Sequence, residues 1–142
     1  MKMGWLRVAV NAVALITLVL VSYTAFFHDG DSLTGDQLMR HVTFAPAFAL
    51  AAVAVALFWA HGSSFSDKGG WVILLRNLFF WIAVALAIPT FISILAAMFP
   101  LAGTEGQREL TDIHELCGKL LAGAGFLFAG CALANWWMRR QE

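Results

Sequence analysis

The chain has 142 residues, 61% of them hydrophobic, with nine basic and nine acidic side chains and no formal net charge. Its mean hydropathy is +0.77. An apolar share this large excludes an ordinary soluble domain and a disordered chain. The balanced charge and the absence of a basic stripe exclude nucleic acid as a partner.

Stretches without Asp, Glu, Lys or Arg run from Val8 to His28, His41 to Ser66, Asn77 to Thr104 and Leu120 to Met138. Each is about the ~20 residues that a helix needs to cross ~30 Å of hydrocarbon. They are continuously apolar and too long for the alternating strands of a barrel, so helices are the spanning elements. The pattern predicts an all-α membrane protein, a single domain with helices at about 5–28, 39–61, 75–99 and 110–137 in a four-transmembrane-helix bundle. The connections are too short for a separate soluble domain. The first segment follows the basic Met1–Arg7 stretch, as a secretory signal would. Its apolar run is longer than a signal core, and Ser22–Phe27 has no small-x-small cleavage pattern, so it is read as a spanning helix.

Lys2 and Arg7 precede the first helix, Lys68 and Arg76 lie between the second and third, and Arg139 and Arg140 follow the fourth. The other two connections are acidic on balance, with Asp29, Asp31 and Asp36 in one and Glu105, Glu109 and Asp112 in the other. The positive-inside rule then puts both termini in the cytoplasm. Arg40 and Arg108 lie on the outer side against the trend. In a bacterium this describes a multi-pass protein of the inner membrane whose outer face meets the periplasm.

That topology collects His28, His41 and His114 at the outer boundary. His61 lies twenty residues after His41, about 30 Å along the same helix, and belongs to the inner boundary. Boundary histidines are tolerated without any ligand role, and this reading suits His28 and His61. His41 and His114 each open a long helix at similar depth and are followed by small residues, Ala45, Ala49 and Ala52 after one and Gly118, Ala122 and Gly125 after the other. A haem between helices needs imidazoles from facing helices and room for its ring. The same small residues equally serve close helix packing in lipid. Pro46 and Pro89 lie inside helices two and three and free the carbonyls of Val42 and Ala85, so a kink is expected at each.

Cations near the outer histidines are Arg40, Arg108 and Lys119. Lys119 can meet a haem propionate or pair with Glu115 four residues earlier. Cys117 and Cys131 are about 21 Å apart along one helix and cannot bridge each other. Neither forms a Cys-x-x-Cys-His attachment sequence, so any haem is non-covalent and of the b type. Cys117 with His28, His41 and His114 is an alternative soft metal site. The tryptophans, Trp5, Trp59, Trp71, Trp81, Trp136 and Trp137, mostly sit near segment ends, as an aromatic belt does.

Asp112-Ile113-His114-Glu115-Leu116, followed by an apolar helix ending in Asn135-Trp136-Trp137 and two arginines, resembles the last helix of the bacterial cytochrome b561 family. Met39-Arg40-His41-Val42, Leu6–Asn11 and the proline-broken run Val84–Pro89 resemble that family's second, first and third helices. The resemblance implies a membrane cytochrome with two b haems, each held by two histidines. Carried over by position, the outer pair falls on His41 and His114, while the inner positions hold Asn11 and Phe128, which leaves one bis-histidine haem on the outer side. It further implies electron exchange with ubiquinone or menaquinone at that face, and with a periplasmic redox partner or a small oxidant, as in members that oxidise superoxide. The alternative expectation is a haem-free accessory or anchor subunit of a larger respiratory or photosynthetic membrane complex. A histidine-based ion transporter is disfavoured, because no acidic or polar residue is expected deep in helices two or three to mark an ion path.

Overall fold

A computed structural model describes residues 2–27, 34–60, 70–99 and 103–141. The described residues are almost entirely helical: α1 is Lys2–Phe26, α2 Gly35–Trp59, α3 Gly70–Ala97 and α4 Thr104–Met138. All four are long and apolar enough to cross a membrane. Their spans match the expected number and order, and their ends differ from the charge-based boundaries for physical reasons. Helix α3 starts at Gly70 rather than near residue 75, because Arg76 is accommodated inside the helix and buried instead of ending it. Helix α4 starts at Thr104 rather than near residue 110. Its first turns, Thr104 to Leu110, are polar but contain good helix formers, and Glu105 in the first turn suits the helix dipole.

The chain divides into two compact units, residues 1–64 and 65–142. In the first, α1 packs on α2, and in the second α3 packs on α4. Both are antiparallel hairpins. In the first, Thr24 near the end of α1 meets His41 early in α2, while Asn11 near the start of α1 meets Trp59 at the end of α2. In the second, Thr90 meets His114 and, towards the other end, Phe80 meets Phe128.

Two helix entries depend on glycine. Gly35 and Gly70 start α2 and α3 with φ of 57° and 63°, the left-handed region in which a side chain is strained. Pro46 and Pro89 both lie inside their helices, as expected. Threonine hydroxyls along the apolar helices are satisfied by their own helix: Thr17 donates to the carbonyl of Val13 at 2.8 Å, Thr43 to Met39 at 2.7 Å and Thr90 to Leu86 at 2.7 Å. In hydrocarbon no water would take that proton, so back-bonding is the available solution.

The small residues after His114 do pack a helix pair. Gly118 faces the Thr90 methyl, which a Cβ at position 118 would meet at 3.8 Å, and Ala122 and Ala124 are buried with Leu121. Ala45, Ala49 and Ala52 on α2 are half-buried. Much of the remaining surface is apolar, including Leu50, Leu57 and Ile92, which are well exposed. A bilayer solvates such a surface, and water does not.

Candidate functional site

In the first hairpin, His41 lies two turns into α2, half-buried, with its Nδ1 2.9 Å from the Thr24 hydroxyl of α1. Thr24 is 4% exposed, and its hydroxyl gives its one proton to the carbonyl of Val21 at 2.8 Å. With that proton on the Val21 carbonyl, the oxygen accepts from His41, and in this arrangement the neutral ring carries its proton on Nδ1 and its lone pair on Nε2.

The second hairpin reaches the same result by a different acceptor. His114, three turns into α4 and half-buried, has Nδ1 2.8 Å from the backbone carbonyl of Thr90 on α3. A carbonyl only accepts, so His114 also carries its proton on Nδ1. Thr90 and Ser93 are both buried, and the Ser93 hydroxyl donates to the same Thr90 carbonyl at 3.1 Å.

The expected cations differ in their surroundings. Arg40, adjacent to His41, is exposed on the surface of α2. Lys119 forms an ion pair with Glu115 one turn earlier, both partly exposed. Lys119 also borders an open groove of about 610 Å³ between α3 and α4, lined otherwise by apolar residues that include Phe79, Leu86 and Leu127.

The positions that the cytochrome b561 resemblance assigns to inner ligands are engaged in packing. The Asn11 side-chain oxygen accepts the indole N–H of Trp59 at 3.1 Å, which ties α1 to α2. The Phe128 ring sits 5.7 Å from the ring of Phe80, itself 5.2 Å edge-on from Trp81. Nearby on α3, the buried guanidinium of Arg76 donates to the Asn77 oxygen from Nε at 3.1 Å and from Nη2 at 2.8 Å. Trp59 is thus a hydrogen-bonding residue as well as a helix-end aromatic. Arg140 stacks over Trp136 at 3.9 Å, and Trp5 and Trp71 are largely exposed, in keeping with an aromatic belt.

His28 and His61 lie outside the described residues. Cys117 and Cys131 are half-buried free thiols. Among the described residues no three His, Cys, Asp or Glu side chains come together as a metal-binding group.

The residues that sequence reasoning missed are the two acceptors, Thr24 and Thr90. They lie 17 and 24 residues from their histidines. Their only signal is hairpin geometry: a polar residue about as far before the turn as the histidine lies after it. No protein-family model, curated protein or solved structure matches the chain.

Proposed function

We propose that the chain is a membrane-bound b-type cytochrome of the bacterial inner membrane, with both termini in the cytoplasm. In this reading His41 and His114 are the axial ligands of one non-covalent haem on the outer side. Electrons pass between quinone and a periplasmic partner or a small oxidant such as superoxide. The observation that carries the reading is the matched hydrogen bonding of the two rings. Each donates Nδ1–H to a buried oxygen of its own hairpin, which puts the lone pair on Nε2. A ligating histidine needs that tautomer, and such outer-shell acceptors both orient the ring and raise its basicity.

Haem bound there supplies a one-electron Fe(III)/Fe(II) couple. The chain's own residues do the rest. The Thr90 carbonyl and the Thr24 hydroxyl hold the rings in orientation. Arg40 is exposed beside His41 and is available to a propionate, and Lys119 supplies a second cation while carrying Glu115. Asn11 with Trp59, and Phe128 with Phe80, fill the positions of a second ligand pair with packing. Electrons are therefore exchanged at one face of the membrane rather than relayed across it. The short motifs around His41 and His114 that resemble bacterial cytochrome b561 are a further support.

The quinone step is tested in liposomes containing the purified, haem-loaded protein. Added ubiquinol or menaquinol should reduce the haem within the mixing time of a slow spectrophotometric assay, and a quinone-site inhibitor should stop it. Reduction by quinol at an unchanged rate in the inhibitor's presence would contradict a specific quinone site.

A further inference from the structure

The two histidine acceptors are chemically unlike, and the difference has a consequence for the site. A carbonyl has no proton to give, so the His114 tautomer is fixed by the Thr90 backbone and no side-chain replacement at position 90 removes its acceptor. A hydroxyl can accept or donate. At Thr24 the contact selects the Nδ1–H tautomer of His41 when the hydroxyl gives its own proton to the Val21 carbonyl, 2.8 Å away.

From this we infer that Thr24 is a positioning residue for His41: its hydroxyl holds the ring as the Nδ1–H tautomer and thereby sets how strongly that ring donates to the haem iron and the iron's reduction potential. The inference rests on the haem reading above. With the hydroxyl as acceptor, the ring acquires partial imidazolate character, which favours ferric over ferrous iron. Without it, the ring is a poorer donor, the potential rises, and the Nε2–H tautomer, which cannot ligate through Nε2, becomes accessible. Thr24 is 4% exposed, so water does not readily take the hydroxyl's place. No other described titratable side chain is hydrogen-bonded to Thr24; its partners are His41 and the Val21 carbonyl.

The test uses two full-length variants. Thr24→Val keeps the shape and removes the hydroxyl, and Thr24→Ser keeps the hydroxyl. In the haem-free chain, ¹⁵N NMR of the imidazoles reads the tautomer directly. Wild type and Thr24→Ser should show His41 and His114 as Nδ1–H. Thr24→Val should shift the His41 ratio towards Nε2–H by about fivefold, the size of one neutral hydrogen bond, and leave His114 unchanged. In the haem-loaded chain the midpoint potential should move to more positive values in Thr24→Val and return in Thr24→Ser. An unchanged His41 pattern in Thr24→Val, or an unchanged potential, would overturn the assignment. If wild type takes up no haem the cytochrome reading fails, and with it the potential-setting role. The NMR comparison then still decides whether Thr24 holds the His41 tautomer.

Discussion

Replacing His114 with alanine is expected to abolish the b-type haem spectrum of the purified protein, and His41→Ala is expected to do the same. Under the proposed ligation, each change deletes one axial ligand and leaves iron with a single protein bond. Loss of an outer-shell partner alone costs about 10–100-fold in metal affinity, and loss of the ligand itself should exceed that. The fold should survive, because each ring is only half-buried and its hydrogen bond to the Thr90 carbonyl or to Thr24 is worth about 1 kcal/mol. Helical circular dichroism in detergent should therefore match wild type while haem per chain falls to near zero. Replacement of His28 or His61 should leave the haem largely in place. Full haem retention in His114→Ala would overturn the ligand assignment.

The second large effect is expected at the other end of the α3–α4 hairpin. Phe80 is 3% exposed and touches the rings of Trp81 and Phe128. Phe80→Ala removes a whole ring from a close-packed contact, a change that costs about 3–5 kcal/mol in soluble cores. In lipid the hydrophobic part of that cost shrinks, because acyl chains are as apolar as the core, and the lost dispersion contacts remain. The expected destabilisation is about 3 kcal/mol, the low end of the range, read by denaturant titration of helicity in mild detergent. Haem content should be unaffected, since Thr90 and His114 lie well over a turn further along the hairpin. A change below about 0.5 kcal/mol would show that the aromatic cluster does not hold the hairpin together.

The number, order and type of the helices were legible because apolar runs of this length have one solution in lipid. Their ends were not. Charge was used as the boundary marker, and it fails at Arg76, which pairs with the Asn77 oxygen and stays buried inside α3. It fails again at Thr104–Leu110, where polar residues continue the helix. The pairing of Lys119 with Glu115 was legible from their spacing of four, and it occurs. The small residues after His114 were open to two uses, and Gly118 against Thr90 shows that helix packing is one they serve. Thr24 and Thr90 were not legible as histidine partners, because which polar residues share a depth depends on where each helix turns back. In the first hairpin that point is marked by Gly35, whose left-handed φ starts α2, and no motif around either histidine announces it.

The most direct test of the central claim is a reduced-minus-oxidised visible spectrum of the purified, detergent-solubilised protein, made with ample haem supply and with haem quantified per polypeptide. One low-spin b-type haem per chain is the predicted result, because His41 and His114 are the one proposed pair of ligands, and Asn and Phe at positions 11 and 128 are not haem ligands. Two haems per chain would contradict the reading of Asn11 and Phe128. None would contradict the cytochrome reading itself.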